Sequence, residues 1–164
     1  MIARTPLARA VASMILASAL VVGTAGCTFL TPQATLNQYD PSDGVSANLG
    51  DLQLRNVLAI ANEDGSAASL LFSVTNRGGP HALKIQFDGD DGKTTTSQVI
   101  DGNSTTTFGN TVDEPQIVLA NSGVPAGGLL PVYFQYGTVE GKLVLVPVLD
   151  ATGIYSELAP GAAP

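Results

Sequence analysis

The chain has 164 residues, a formal net charge of −7, 45% hydrophobic residues, 18 Gly, 10 Pro and a single Cys. That length holds one domain, and the apolar fraction is enough for a core, so wholesale disorder is excluded. One Cys excludes a disulfide framework or multi-thiolate metal site, one His leaves no imidazole cluster, and the acidic balance runs against nucleic-acid binding.

The first element reads as an address. Arg4 and Arg9 precede an apolar run, Ala10 to Val22, interrupted only by Ser13 and Ser18. Small residues follow, Gly23 to Gly26, and then Cys27. These are the n-, h- and c-regions of a signal peptide in order. The run of about 13 residues is short of the ~20 that a transmembrane helix needs. Thr24-Ala25-Gly26-Cys27 resembles a bacterial lipobox, although Leu is commoner where Thr24 stands. The resemblance implies cleavage between Gly26 and Cys27, with residues 1–26 as signal peptide and a diacylglyceryl group on the Cys27 sulfur. Each buried methylene of such an anchor contributes ~0.8 kcal/mol, enough in sum to hold a soluble domain on the outer face of the cytoplasmic membrane. Beyond Cys27 the chain has fourteen acidic residues against five basic ones, Arg55, Arg77, Lys84, Lys93 and Lys142, a net −9. Anionic headgroups repel such a domain, so it should stand off the bilayer. Residues 27–47 have no helical or strand period and read as the acylated Cys and a tether.

From 48 to 155 no amphipathic helix is visible, and short apolar runs alternate with turn residues. The predicted strands are Asp51–Ala61, Ser69–Thr75, Leu83–Phe87, Thr94–Ile100, Thr105–Phe108, Gln116–Ala120, Val132–Tyr136 and Lys142–Val148. Turn signals separate them: Asp64-Gly65, Gly78-Gly79-Pro80, Asp91-Gly92, Asp101-Gly102, Gly127-Gly128 and Glu140-Gly141. Seven or eight short strands at this spacing predict an all-β fold, an antiparallel Greek-key sandwich of cupredoxin-like or immunoglobulin-like type. Pro131 and Pro147 cannot donate to a ladder, which predicts that their strands are edge strands or bulged there. Residues 156–164, rich in Ala, Pro and Gly, read as a disordered tail.

Candidate chemistry is sparse. His81 follows Gly78-Gly79-Pro80 and is placed at a loop edge opening a strand; a triad would need it beside a Ser and a carboxylate. Asp88, Asp90 and Asp91 look superficially like a calcium loop. Counted from Asp88, however, position 5 is Gly92, position 6 is Lys93 and position 12 is Val99, where such a loop needs an oxygen ligand, Gly and Glu. The three acids therefore read as a hairpin turn. No Gly-rich phosphate loop opens a helix, so no nucleotide cofactor is implied. Phe134 and Tyr136 share a face and read as core. No catalytic residue, resident metal or cofactor is assigned, and the chain is not read as an enzyme.

Three stretches carry a resemblance. They are Asp43–Ala61 (DGVSANLGDLQLRNVLAIA), Ser69–Gly78 (SLLFSVTNRG) and Leu129–Val148 (LLPVYFQYGTVEGKLVLVPV). Together they resemble small actinobacterial envelope lipoproteins and, distantly, periplasmic copper chaperones of the PCu(A)C type. The latter resemblance implies a cupredoxin-like β-sandwich. It also implies a His/Met copper site with a late His-x-Met element, but the corresponding Glu114–Leu119 contains neither residue, and both Met, Met1 and Met14, precede Cys27. The expectation is thus a membrane-anchored, non-enzymatic envelope lipoprotein presenting its sandwich to a protein partner, with no nucleic acid. A copper-chaperone-type binding module is the alternative. In cells fed labelled palmitate the chain should take up label, and Cys27→Ala should take up none; equal labelling would refute the anchor.

Overall fold

A computed structural model describes residues 6–30 and 39–161, with side chains for 6–20 and 39–161. Helix α1, Pro6–Leu30, contains the apolar run. The two hydroxyls of that run are returned to the helix backbone, Ser13 Oγ donating to Arg9 O (3.0 Å) and Ser18 Oγ to Ile15 O (2.9 Å), which is how polar residues sit in an apolar helix. Among the described residues no helix is long and apolar enough to cross a membrane. The Cys27 side chain at the expected Gly26/Cys27 cleavage point, and residues 31–38 of the expected tether, lie outside what is described.

From Asp40 on the described residues form a separate unit of nine strands. They are β1 (Val45–Leu49), β2 (Leu52–Ala61), β3 (Ala67–Asn76), β4 (His81–Gly89), β5 (Gly92–Ile100), β6 (Thr105–Phe108), β7 (Ile117–Ala120), β8 (Leu129–Tyr136) and β9 (Lys142–Leu149). Eight lie where alternation and turn residues place them. The ninth, β1, begins inside the stretch read as tether and pairs with β2 through the two-residue turn Gly50-Asp51. The body therefore starts at Val45 rather than at residue 48.

The strand order is β5-β4-β8-β9-β2-β3-β6, with β1 also on β2 and β7 also on β3. All pairings are antiparallel except β2–β9, which is parallel over Ala59↔Val148 and Ile60↔Leu149. The all-β, sandwich-like expectation stands, but the sheet is mixed rather than purely antiparallel. It curls so that β5-β4-β8-β9 faces β1-β2-β3 with β6 and β7. Phe72 of β3 joins the layers, stacked on Phe108 (centroids 4.9 Å) and edge-on to Phe134 of β8 (6.0 Å).

The prolines correct an expectation. β8 and β9 are internal strands, not edges. Pro131 is tolerated because the β4 ladder ends at Val132, and Pro147 because the β2 pairing begins one residue later, at Val148.

β2 changes phase at a bulge. Its register with β3 shifts between Arg55 and Leu58, and Asn56 adopts φ 51°, a left-handed conformation that Asn tolerates. Before the bulge Leu52 and Leu54 point into the main core; after it Val57, Ala59 and Ala61 do. Leu58 and Ile60 are turned to the opposite face, yet they too are buried. The cover is the C-terminal segment: after a 3-10 turn, Gly153–Tyr155, Leu158 and Ala159 pack with Leu58, Ile60 and Leu71. Residues 156–161 are therefore a packed lid over β2 and β3 rather than a frayed tail, because the bulge leaves apolar side chains on both faces. Tyr155 fastens it by donating from its hydroxyl to Asp43 Oδ2 at 2.7 Å, and this carboxylate bond raises the Tyr155 pKa above its ordinary 10.0.

Leu158→Ala should cost about 2–3 kcal/mol, the lower part of the Leu→Ala range, in urea unfolding. A change within ~0.5 kcal/mol would mean that the segment lies on the sheet without stabilising it.

Candidate functional site

The sole imidazole lies where three connections converge. Gly50, at φ +48°, makes the tight β1–β2 turn and brings Asp51 to the end of the sandwich. The Asp51 N–H donates to the Tyr136 hydroxyl at the end of β8 (2.8 Å), and the Arg77 N–H donates to Asp51 O (3.0 Å). His81 opens β4 beside them. Its ring lies against that of Tyr136, with centroids 4.3 Å apart, and its Nε2 is 3.6 Å from Asp51 Oδ2. That distance is too long for a hydrogen bond, so Nε2 is buried and unpartnered. The His81 side chain is 25% exposed and that of Asp51 55%, so when charged they form a surface-type pair worth about 0–1 kcal/mol.

Asn76 builds this corner. Its buried amide Nδ2 donates to Gly79 O (2.7 Å) and Asp101 O (2.9 Å), while its Oδ1 accepts from the Gly78 N–H (2.9 Å). One side chain thus ties the β3–β4 loop to the β5–β6 loop. Gly78 lies close under Asp51, so a Cβ there would push the Asp51 carboxylate aside from its place beside His81.

The other sequence candidates lie at the far end of β4. Asp88 faces Lys93 across the hairpin at 4.0 Å, with both side chains well exposed. Asp91 Oδ2 accepts from Asn121 Nδ2 (2.6 Å), and the Asp90 N–H donates to Asn121 O (2.8 Å). Asp90 and Asp91 brace the turn against the segment after β7 while Asp88 stays within the hairpin, and the length of β4 separates all three from His81. A cleft of about 550 Å³ elsewhere contains Glu63, Asp64 and Asp150 in its lining. There, hydrogen bonds from Ser66 hold the Asp64 carboxyl below the usual carboxylate range. Among the described residues no three His, Cys, Asp or Glu side chains are grouped to hold a metal.

Sequence reasoning found His81 but not Asp51, Asn76 or Tyr136 as its surroundings. Thr75-Asn76 was visible only as a strand end before glycine, and Tyr136 only as core; its ring is indeed buried, with its hydroxyl put to use. The Gly50-Asp51 turn was the one local signal available.

Solved structures resemble this body. The apo PCuAC domain of PmoF2 superposes with a TM-score of 0.51 at 14% identity, over 65% of this chain and 95% of that domain. The chain shares the fold of that PCuAC domain. The copper-bound PCuAC domain of PmoF2 and the apo PCuAC domain of PmoF1 each give 0.48 at 14% identity, over 65% and 63% of this chain and 98% of theirs. No protein-family model matches the chain, and no curated protein matches it in sequence.

A PCuAC fold raises the question of copper, and the donors here do not fit a His/Met centre. Met1 and Met14 precede the body, and the ion-pair partner of His81 is Asp51, a hard oxygen beside a buried nitrogen. Where the resemblance would put a His-x-Met element, Glu114 accepts from Thr107 Oγ1 (2.7 Å) and from the Asn110 N–H (2.9 Å), bonds that close the loop between β6 and β7.

Removing the hub in Asn76→Ala would leave the Gly78 N–H and the Gly79 carbonyl without their partner, while Asp101 O keeps the bond from Ser104 Oγ. It should lower stability by about 1–3 kcal/mol in urea unfolding, more than Ser104→Ala, which removes one exposed bond. Equal, small losses would show that the loops hold without Asn76.

Proposed function

We propose that this chain is a non-enzymatic binding module of the cell envelope, of copper-chaperone type in fold, held at the membrane through Cys27 and acting by docking to a partner protein. The observation that supports the module type is the likeness of the body to the apo PCuAC domain of PmoF2, over nearly the whole of that domain; it backs a copper-chaperone-type binding module more than it backs partner docking or the anchor. It favours a copper-chaperone-type module over an unrelated sandwich. Acylation would raise the local concentration of the domain for anything on the same membrane face. The edge strands and end loops are then the contact surface.

The same likeness favours a second reading, in which the module carries copper itself. This reading would rest on His81, the one imidazole, and needs its Nε2 to become accessible and to gain soft ligands from elsewhere.

Two measurements on the full chain separate these readings. In-cell crosslinking of the anchored chain should capture a discrete envelope protein that the Cys27→Ala form does not. Cu(I) competition titration should find no tight one-to-one site. Tight stoichiometric Cu(I) binding that is lost in His81→Ala would overturn the docking reading in favour of copper carriage.

A further inference from the structure

β5 is the outermost strand of its layer. It runs nine residues, Gly92–Ile100, and pairs with β4 alone, leaving its other edge without a strand partner among the described residues. Such an edge is a template for another strand. Lys93, Thr95, Ser97 and Val99 alternate along one face, all exposed, with Val99 at 73%, and Asp101, also exposed, follows immediately. Lysine on an edge strand ordinarily guards against pairing. In this edge an acid stands eight residues from the lysine, on the same alternation.

We propose that the occupant of this edge is a second copy of the chain, with β5 pairing antiparallel to its own copy about a two-fold axis at Ser97. Directly opposed residues must share alternation, because a one-residue slip sends side chains to opposite faces. Only registers centred on a single residue satisfy this. Centred on Ser97, Lys93 of each copy stands opposite Asp101 of the other, twice by symmetry, and Val99 stands opposite Thr95. Centring on Thr96 instead opposes Asp91 to Asp101, two like charges, and sets Lys93 against Val99. Centring on Gln98 sets Lys93 against Asn103 and Asp101 against Thr95. Opposite charges directly across a ladder stabilise it and like charges destabilise it, so the Lys93/Asp101 pattern selects one register. In that register the lysine is part of the interface rather than a guard. An isologous pairing of this kind closes at two copies. In the dimer Lys93 gains Asp101 of the other copy beside the weak, exposed Asp88 of its own.

Disulfide trapping in the full chain tests the register. At the axis the two Ser97 Cα atoms would lie about 4.5–5.5 Å apart, within disulfide reach, whereas the two Thr95 would be offset by about 13 Å along the strands. After mild oxidation of membranes from the expressing cells, Ser97→Cys should give about tenfold more disulfide-linked dimer than Thr95→Cys. The unsubstituted chain, with Cys27 alone, sets the background. In parallel, sedimentation of the detergent-solubilised chain should show a dimer that Lys93→Asp abolishes and that Lys93→Asp combined with Asp101→Lys restores. These side chains are exposed, and circular dichroism checks that each variant keeps its strands. Equal trapping at Ser97 and Thr95, or a native chain that sediments as a monomer, would overturn the proposal. So would a Lys93→Thr form that associates more strongly than the native chain, since that is the behaviour of a guard.

Discussion

β2 changes faces at Asn56, and much of the body follows from that change. A regular strand of its length would present one apolar face inward and one polar face outward. With the bulge, the leading half gives Leu52 and Leu54 to the core, and the trailing half gives Val57, Ala59 and Ala61 inward and Leu58 and Ile60 outward. Two consequences are coupled. The added twist of a bulged strand suits the turn by which β9 comes to lie parallel to Ala59 and Ile60, joining the two layers in one curled sheet. The outward pair also needs a cover, which the segment ending in Leu158 and Ala159 provides. The chain after β9 is thus bound to a residue about a hundred positions earlier.

The His81 corner depends on tertiary geometry of the same kind. No local pattern joins Asp51, Asn76, His81 and Tyr136, which come from β2's leading turn, the end of β3, the start of β4 and the end of β8. What assembles them is the Asn76 amide, which spans two loops, and the Tyr136 hydroxyl, which accepts from Asp51 N–H. The polar groups are spent largely on the backbone. The corner has a carboxylate and an imidazole, but the nitrogen that faces the carboxylate is buried and no hydroxyl nucleophile hydrogen-bonds to it among the described residues. This geometry fixes the loops at one end of the sandwich.

Particular residues show where the sequence was legible and where it was not. Leu83, Ile85 and Phe87, between Lys84 and Gln86, announce a half-buried strand because burial on one face is a local, period-two pattern. Thr105–Phe108 matches its strand residue for residue, since turn residues bracket it closely. Val45, Ala47 and Leu49 alternate as well, but in a run too short and polar to stand out until β2 is there to pair with it. Leu158 is a single apolar residue among Ala, Pro and Gly, and only the second apolar face of β2 shows why it is buried. Pro131 and Pro147 marked gaps in pairing correctly but not edges, because a ladder can end beside a proline inside a sheet. The parallel β2–β9 contact, two residue pairs between distant segments, has no sequence signature.

The likeness to a PCuAC domain at 14% identity is intelligible on the same terms. What the fold requires is inward-facing apolar side chains on its strands, satisfied here by Leu, Val, Ile and the Phe72, Phe108 and Phe134 cluster. Any hydrophobic set of about the right volume meets that demand. A metal centre requires a few particular donors, and these contribute little to the core. The two demands fall on different residues, so one can be kept while the other is lost. In this chain the soft donors are missing from the body, and Glu114, in the stretch where the resemblance would seat two of them, closes a loop through Thr107 and Asn110. A carboxylate committed to two structural hydrogen bonds stabilises that loop without any ion, so the loop can stay ordered in a module that holds no copper there. On the docking reading proposed above, the fold constrains which surfaces would be free to dock, and the chemistry of a partner has to be read from those surfaces rather than from the fold.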